Sequence, residues 1–390
     1  MKKLHATASY AVIQAALWSL YALLLSFSSN YLMGIGLDSG RISLVLGTAA
    51  ALAIITQLAL AEIVSRRELK LRRILTAIIA CMFCLGLGML LAEGYWAVGC
   101  FLINCMLLQT LPAMGNSLGM SSIAAGSPIE YGPARGTGSL SFAGISYAAG
   151  MLTGRYGHRA IPVMILAFLA LFMLGLILFA RFAEPAGGVA AAAKKKSTAS
   201  GREFLLRHKR FSIMLIGCVL MYLSNNLIIN FMLQIMQSKG GGAAEQGLAN
   251  AIAGALEIPG MFTFVFLLRF MGCGGWLRIS VVFMAVKALG IFLAPSPQWV
   301  YVSQLAQLLG YALFYISAVH YAEKSTGGED SVLSQSYLAS TSTIASLIGL
   351  STGGVLCQQL GANAMLAVST ASAVCGAALI IFSMGKVKEL

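Results

Sequence analysis

Two charged residues lie deep inside apolar stretches of the sequence. Glu257 is the one acidic residue of thirteen that falls midway along such a stretch. Lys287 lies in the next stretch, and each is about twelve residues, or 18 Å of helix, from the turn between Arg269 and Gly275. A charge at that depth costs about 2.5 to 3.5 kcal/mol on insertion scales, so it needs a partner, water or a proton.

Two roles are open for this pair. Glu257 is either a proton-coupling or substrate-binding acid whose protonation Lys287 controls, or one half of a permanent structural ion pair. Pro259 is expected to kink the same helix and to expose backbone carbonyls, which favours a functional site. We therefore predict that Glu257 and Lys287 form a proton-coupling site.

Uncharged polar side chains recur at helical spacing along four other apolar stretches. The rows are Asn226, Asn230 and Gln234; Gln304, Gln307, Tyr311 and Phe314; Gln14, Trp18, Tyr21 and Leu25; and Gln109 with Asn116. Amides interspersed with aromatic rings suit a neutral solute that carries hydroxyl groups. The alternative is hydrogen bonding between helices, worth under about 2 kcal/mol per bond. The residues predicted to contact substrate are Trp18, Asn116, Asn226, Asn230, Gln304 and Gln307.

Other kinds of chemistry are not expected. The eight cysteines lie mostly in apolar stretches, so they are predicted to be small core residues and not disulfides. The four histidines lack metal-ligand spacing, and the sequence contains no P-loop motif. We predict no enzyme activity, no cofactor and no metal ion. The net charge of +13 is scattered over short segments, so a nucleic-acid-binding face is not expected either.

The elements that position these residues are predicted to be transmembrane helices. Of the 390 residues, 58% are hydrophobic and only 10% are charged, whereas soluble domains are about 25% charged. At about 20 residues per crossing, the chain accommodates twelve crossings. The predicted helices are residues 9–34, 42–63, 73–92, 95–118, 135–153, 160–182, 211–236, 246–268, 277–294, 298–319, 332–356 and 362–384.

The distribution of basic residues predicts the orientation of these helices. With the amino terminus in the cytoplasm, 21 of the 26 lysines and arginines fall on the cytoplasmic side, four fall outside, and Lys287 lies in the membrane. This bias follows the positive-inside rule. We therefore expect a multi-pass protein of the inner (cytoplasmic) membrane with both termini in the cytoplasm.

The chain is predicted to divide into two halves. Residues 183–209 contain an alanine run and the basic cluster Lys194 to Lys196, a composition typical of a flexible cytoplasmic linker. The linker would join an amino-terminal six-helix bundle, residues 1–182, to a carboxy-terminal six-helix bundle, residues 210–390. The expected fold is thus an all-α integral membrane protein of two pseudo-symmetric bundles.

A short internal repeat supports this division. Gly150-Met-Leu is followed by Gly157 in the fifth predicted helix, and Gly354-Val-Leu is followed by Gly361 in the eleventh. The two segments lie six helices apart. Such a duplicated six-helix unit is the repeat arrangement of many secondary transporters.

Several motifs resemble one known family. The segment Tyr131-Gly-Pro-Ala-Arg135-Gly-Thr-Gly138-Ser leads into the fifth predicted helix. It is similar to the aromatic-Gly-x-x-Arg-x-x-Gly-[Ser/Cys] motif of the lactose permease-like branch of the major facilitator superfamily, which has nucleoside and phenylpropionate permeases among its members. Segments 256–259, 304–321 and 334–337 agree in helix and order. The resemblance implies that superfamily's twelve-helix fold, with transport by alternating access.

The chain departs from that branch at several functional positions. Asn116 or Ser117 lies where lactose permeases have an acidic partner for the fifth-helix arginine, and Phe142 lies where they have an indole that stacks on sugar. Gln307 lies in place of their tenth-helix histidine. The resemblance therefore implies substrate-binding roles for Arg135 and Phe142, but neither galactoside specificity nor a full set of proton-carrying residues. The alternative for Arg135 is an ordinary arginine that snorkels at the cytoplasmic helix end.

Together these features predict a secondary active transporter. It would couple proton import to uptake of a polar organic solute, sugar-like or nucleoside-like, and would work as a monomer in the lipid bilayer. The alternative is a proton-driven efflux carrier for amphipathic compounds, which spans containing 19 methionines would tolerate. The first predicted helix carries no acid and the resemblance favours uptake branches, so uptake is the leading prediction.

Overall fold

The computed structural model describes residues 2–67, 70–183, 201–326 and 331–384. Helices form the secondary structure of these ranges. They group into two compact units. The first unit contains the described residues of 1–194 together with 242–254, and the second contains those of 195–241 together with 255–390.

The first unit contains eight helices and the beginning of a later one. The eight are α1 (Lys2–Tyr21), α2 (Ser28–Gly34), α3 (Ser39–Arg67), α4 (Leu71–Leu91), α5 (Gly94–Leu108), α6 (Leu111–Ala124), α7 (Tyr131–Tyr156) and α8 (Ala160–Phe182). A short π-helical segment, Ala22–Ser26, follows α1. Helix α1 packs most extensively on α7 and α8, so it lies at the centre of this unit.

The second unit contains the remaining helices. They are α9 (Gly201–Arg207), α10 (Lys209–Asn230), α11 (Met232–Ser238), α12 (Ala243–Leu267), α13 (Cys273–Leu293), α14 (Pro297–Gln304), α15 (Tyr311–Thr326), α16 (Ser331–Leu360) and α17 (Ala362–Ser383). Of these, α12 belongs to the second unit only from Ala255 onward. A 3-10 segment, Leu305–Leu309, joins α14 to α15. Helix α10 packs on α16 and α17 and is central in this unit, as α1 is in the first.

Ten helical segments of the described chain are long and apolar enough to cross a membrane. They are Lys3–Ser26, Ser39–Leu60, Leu71–Leu91, Gly94–Ala124, Ala160–Phe182, Lys209–Asn230, Cys273–Leu293, Pro297–Ala322, Ser334–Leu360 and Ala362–Ser383. Helices α7 and α12 have 26 and 25 residues and are also long enough to cross a membrane, although they are not among the ten apolar segments. The chain is thus a multi-pass membrane protein, and twelve crossings remain the prediction that includes these two helices.

Four of the predicted helices are interrupted. The first predicted helix comprises α1, the π-helical segment and α2; the fourth comprises α5 and α6; the seventh comprises α10 and α11; the tenth comprises α14, the 3-10 segment and α15. Pro112 contributes to one interruption because it lies in the first turn of α6 and lacks an N–H group. Broken helices at membrane depth are tolerated where polar groups or a cavity satisfy the freed backbone.

Helix α7 begins one turn earlier than the sequence pattern predicted. The predicted helix covered residues 135–153, but the structure extends it from Tyr131 to Tyr156. Pro133 allows this because proline is compatible with the first turn of a helix, where its missing N–H is not needed. Arg135 consequently lies in the second turn of α7 and not at its end.

The predicted linker contains a helix. Residues 184–200 lie outside the described residues, but 201–207 form α9 and α10 begins at Lys209. Phe204 is buried, and its ring stacks on Tyr337 with centroids 5.5 Å apart. The last third of the predicted linker is therefore helical, and Phe204 packs it against the rest of the second unit.

The first half of α12 packs closely on α7 within the first unit. A Cβ atom added to Gly150 would lie 2.8 Å from the Cα of Gly247, and one added to Gly247 would lie 2.6 Å from the carbonyl oxygen of Ser146. Gln246 is buried and donates through Nε2 to the carbonyl oxygen of Ser26 at 2.6 Å. Small residues here let two backbones approach as they do in many membrane helix pairs.

Candidate functional site

The first unit holds a connected group of polar and aromatic side chains, here called the arginine cluster. Its members come from three places: helix α1, helix α6 and the first two turns of α7. They are Tyr10, Gln14, Trp18, Asn116, Tyr131 and Arg135. The three α1 residues are four apart, so they form one stripe on that helix.

Asn116 is the acceptor at the centre of the arginine cluster. Its Oδ1 accepts hydrogen bonds from Gln14 Nε2 and from Tyr131 Oη, each at 3.2 Å. Gln14 Nε2 also donates to Tyr10 Oη at 2.6 Å, and that hydroxyl donates to the carbonyl oxygen of Gly115 at 3.1 Å. Where lactose permeases have an acidic residue, this chain thus has a neutral amide that is already hydrogen-bonded.

Arg135 lies against the indole of Trp18. The guanidinium carbon is 4.2 Å from the ring centroid, within cation–π distance. The indole is held in turn, because Trp18 Nε1 donates to Gln14 Oε1 at 3.3 Å. The Nη1 atom of Arg135 is buried and has no hydrogen-bond partner. This arrangement favours a binding role over a snorkelling arginine, whose head group would reach water.

Two glycines make room for the aromatic members of the cluster. A Cβ at Gly138 would overlap Cδ1 of Trp18, and one at Gly119 would overlap the ring of Tyr10. Both contacts would be far shorter than a normal carbon–carbon separation. Gly138 also belongs to the motif that includes Arg135, so this motif provides both the cation and the space for the indole beneath it.

The second unit holds a charged group, here called the glutamate cluster: Glu257 of α12, Lys287 of α13 and Gln307 of the 3-10 segment. Lys287 Nζ donates to Gln307 Oε1 at 2.7 Å, and Gln307 Nε2 donates to Glu257 Oε1 at 2.6 Å. An ammonium has only donors and a carboxylate only acceptors, so the amide has one workable orientation. Lys287 is 3% exposed and Gln307 is fully buried.

The backbone is irregular on two sides of the glutamate cluster. Pro259 lies inside α12, two residues after Glu257, and cannot donate to the helical hydrogen-bond ladder. Gln307 is at the centre of Leu305–Leu309, which is a 3-10 segment and ends at Gly310. A 3-10 stretch within a longer helix often marks a hinge or a functional site. Both the irregular backbone and the buried charges therefore indicate that these residues form a functional site.

A small cavity adjoins Lys287. It is lined by Ser224, Asn225, Ile228, Met284 and Lys287 and has a volume of about 10 Å³, which is close to the minimum for one water molecule. Among the described residues, the four that line this cavity beside Lys287 are therefore uncharged.

The seventh predicted helix has its own amide row beside α16. Asn226 Nδ2 donates to the carbonyl oxygen of Tyr222, and Asn230 Nδ2 donates to that of Asn226, both at 2.9 Å. Ser346 Oγ donates to Asn226 Oδ1 at 3.3 Å. Two of these three hydrogen bonds lie within α10, and only the one from Ser346 joins two helices, as the alternative of hydrogen bonding between helices requires.

The structure brings most of the predicted site residues into these groups. Trp18, Asn116 and Arg135 meet in the arginine cluster, and Gln307 joins Glu257 to Lys287. Four residues lie elsewhere. Gln304 is buried one turn before Gln307 with an unpartnered Oε1, Asn226 and Asn230 pair with each other, and Phe142 packs against Gly254 in the first unit.

Three contributions went unnoticed in the sequence. Tyr10 and Tyr131 complete the arginine cluster, although the four-residue spacing of Tyr10, Gln14 and Trp18 was a usable signal. The direct link through Gln307 was not predicted either, because the pairing of Glu257 with Lys287 was argued from depth alone. Helical spacing identifies a face, but not which atom on a third helix bridges two others.

Comparison with known proteins is consistent with this architecture. The model of the MFS_1-like family matches residues 10–368. The crystal structure of the nucleoside transporter NupG superposes with a TM-score of 0.74 at 15% identity, and that of a NupG variant with 0.77 at 16%, each covering all of both chains. A POT family transporter in complex with a thioalcohol-conjugated peptide gives a TM-score of 0.72 at 14% identity, over 98% of this chain and 96% of the other.

At these identities the structural similarity establishes the fold alone. A search of curated proteins finds no sequence match. The family match, however, covers most of the chain and includes the stripe of α1, the motif of α7 and all three residues of the glutamate cluster. The chain therefore belongs to the MFS_1-like family of the major facilitator superfamily and is a secondary transporter.

Proposed function

We propose that this transporter couples the import of protons to the uptake of a polar organic solute, sugar-like or nucleoside-like, with the glutamate cluster as the proton site. The observation that carries the proposal is the hydrogen-bonded chain from buried Lys287 through buried Gln307 to half-buried Glu257. It joins a carboxylate that can take up a proton to a cation that responds to its charge. The protein works as a monomer, since both clusters are formed by residues of a single chain.

Protonation of Glu257 changes the energy of the whole chain of contacts. With Glu257 ionised, the amide of Gln307 is held between two opposite charges, and charge-assisted bonds of this kind are about twice as strong as neutral ones. With Glu257 neutral, a charged Lys287 would lie in a buried place without a counter-charge. Any two conformations that differ in this cluster therefore differ in proton affinity, which is the requirement for coupling.

The solute is assigned to the arginine cluster. Its tyrosines, amides and indole resemble the mixture of apolar surface and convergent polar groups typical of small-molecule sites. NupG is a nucleoside transporter and shares the fold over the full chain, which supports a nucleoside-like or sugar-like solute. The remaining predicted contacts, Asn226, Asn230, Gln304 and Phe142, are proposed to meet the solute at other stages of the transport cycle.

The proposed coupling is tested by recording the pH of a lightly buffered, energy-depleted cell suspension after solutes are added one at a time. Proton import with solute makes the medium more alkaline only in cells that express the chain. Glu257→Gln should abolish this change, whereas Glu93→Gln, which alters an exposed loop acid, should not. Acidification of the medium instead would contradict uptake and support the efflux alternative.

We propose that the protein lies in the inner membrane with both termini in the cytoplasm, which is the orientation that the basic residues predict. Ser197→Cys and Gly241→Cys should then react with an impermeant thiol reagent from opposite sides. Because eight native cysteines are present, both are introduced into a chain whose exposed cysteines are replaced by serine. Labelling of both positions from the same side would contradict the twelve-crossing topology.

A further inference from the structure

The arginine cluster contains a cation that nothing in the described structure neutralises. The nearest acid along the chain, Glu130, is engaged elsewhere: its Oε1 lies 2.7 Å from Lys3 Nζ. Asp38 pairs with Arg41 at 3.2 Å, and Glu245 accepts from the backbone N–H of Gly242. Among the residues described, Arg135 has no ion pair.

The surroundings of Arg135 add positive potential and do not relieve it. The residue lies in the second turn of α7, a helix of 26 residues whose amino-terminal end carries partial positive charge. Asn116 cannot serve as counter-charge, and its Oδ1 already accepts two hydrogen bonds. Nη1 is buried without a partner, which is costly for an ionised donor.

We infer that the transported solute carries a carboxylate and that Arg135 binds it, with the indole of Trp18 beneath the guanidinium. This inference rests on the proposed function and specifies the chemical class of its solute. A guanidinium presents paired donors that match the two oxygens of a carboxylate. The solute thus supplies in transit the negative charge that lactose permeases build into the protein.

The single cation favours a carboxylate over a phosphate. A phosphate ester carries about −1.5 to −2 charge at pH 7, so Arg135 alone would leave most of one charge uncompensated. Lys287 is the one fully buried cation among the described residues, and it is already linked to Glu257 through Gln307. One guanidinium and one carboxylate balance. Sugar acids and other hydroxylated carboxylates are consistent with the amide and tyrosine hydroxyl groups of the cluster.

A carboxylate solute has a measurable electrical consequence. One proton moved with one monoanion transfers no net charge, whereas one proton moved with a neutral sugar or nucleoside transfers one positive charge. Uptake of the carboxylate should therefore follow the pH gradient and be insensitive to membrane potential. Uptake of a neutral solute should accelerate when the interior is made negative.

Binding is tested with matched probes on the purified full-length protein in detergent. The pairs are glucuronate with glucose and benzoate with benzyl alcohol, and glucose 6-phosphate represents phosphates. We expect thermal stabilisation by at least one carboxylate and none by its neutral partner. Arg135→Gln should remove the shift, and Arg135→Lys should weaken it at least tenfold in apparent affinity. Arg155→Gln is the matched control, since this exposed arginine of α7 also lies over an aromatic ring, that of Tyr156.

Several results would overturn the inference: stabilisation by none of the carboxylates, equal stabilisation by a neutral partner, or a shift that survives Arg135→Gln. If Arg135→Gln does not fold, the potential dependence of uptake by the unaltered protein in proteoliposomes still distinguishes a carboxylate from a neutral solute. Proton-coupled, potential-driven uptake of a neutral solute would refute the carboxylate and leave the proposed coupling intact. Carboxylate binding without any proton coupling would support the carboxylate and refute the proposed coupling.

Discussion

The arginine cluster and the glutamate cluster use similar parts but differ in charge balance. Each has one buried or half-buried cation next to a side-chain amide. In the second unit the amide of Gln307 connects that cation to a carboxylate. In the first unit the amides of Gln14 and Asn116 form hydrogen bonds only with neutral groups. The guanidinium of Arg135 packs on the indole of Trp18 without a carboxylate partner among the described residues.

This difference suggests a division of labour. A cluster whose charges balance internally needs no ligand, and its state changes only when a proton arrives or leaves. A cluster with one uncompensated cation is complete only when an anion binds. We therefore assign proton coupling to the glutamate cluster and solute binding to the arginine cluster, and the following variants separate the two.

The largest effect is expected from Lys287→Met. It leaves the half-buried Glu257 carboxylate facing a buried amide with no cation. Removing one partner of a fully buried ion pair costs about 3 to 5 kcal/mol, which is the upper limit for this amide-bridged pair. The unfolding temperature of the purified protein in detergent should drop accordingly. Glu257→Gln combined with Lys287→Met should recover most of the loss. Equal unfolding temperatures for wild type and Lys287→Met would show that the cluster is not charge-balanced as described.

A loss of comparable size is expected from Gln307→Leu. This variant removes two hydrogen bonds to charged groups, and such bonds are worth about 1.5 to 3 kcal/mol each. Gln304→Leu is the matched control one turn earlier, because the Oε1 of Gln304 is buried without a partner. It should be neutral or slightly stabilising. If both variants lose the same stability, Gln307 is an ordinary buried amide and not the bridge.

In the arginine cluster, Gly138→Ala should cost about 1 to 3 kcal/mol through overpacking. Its new methyl group would collide with the indole of Trp18 and displace the surface beneath Arg135. Gly144→Ala on the same helix meets no atom within 4 Å and should be neutral or stabilising. Thermal unfolding and solute binding both report the difference. Normal binding by Gly138→Ala would show that the indole position is not required.

The smallest effect concerns acid stability of the first unit, outside either cluster. Burial and the nearby Arg159 lower the pKa of His158 below its ordinary value of 6.5. Unfolded chains therefore take up a proton at this residue before folded ones do, so stability should fall as pH falls from 6.5 through the folded pKa. His158→Gln should reduce this fall, and Arg159→Gln should reduce it less. An unchanged acid profile in His158→Gln would exclude His158 as its cause.

The sequence predicted the membrane fold well because its signal is strong. The bilayer itself imposes long apolar stretches and a bias of basic residues, and the duplicated glycine pattern follows from the repeat. None of these signals depends on detailed side-chain packing. All ten crossing segments of the described chain correspond to predicted helices. Interruptions in four helices were not predicted, because no glycine or proline marks Phe27 or Phe231, where two of them occur.

The sequence indicated which polar residues share a helix face, but not which residues they contact. Four amide-containing rows were recognised from helical spacing, and each lies on one of the four interrupted helices. Spacing shows which residues share a face, but partners on other helices depend on packing. Gln307 was assigned to substrate for that reason, whereas the structure connects it to Glu257 and Lys287. Its role in coupling remains a proposal.

The division of labour is tested most directly by comparing accumulation with exchange in proteoliposomes loaded with the solute that gives a pH signal. Arg135→Gln should lose both activities. Glu257→Gln, alone or with Lys287→Met, should retain exchange across the membrane but fail to accumulate solute on a proton gradient. If the double variant accumulates solute as well as the unaltered protein does, Glu257 and Lys287 are a structural pair, and the assignment of proton coupling to the glutamate cluster is wrong.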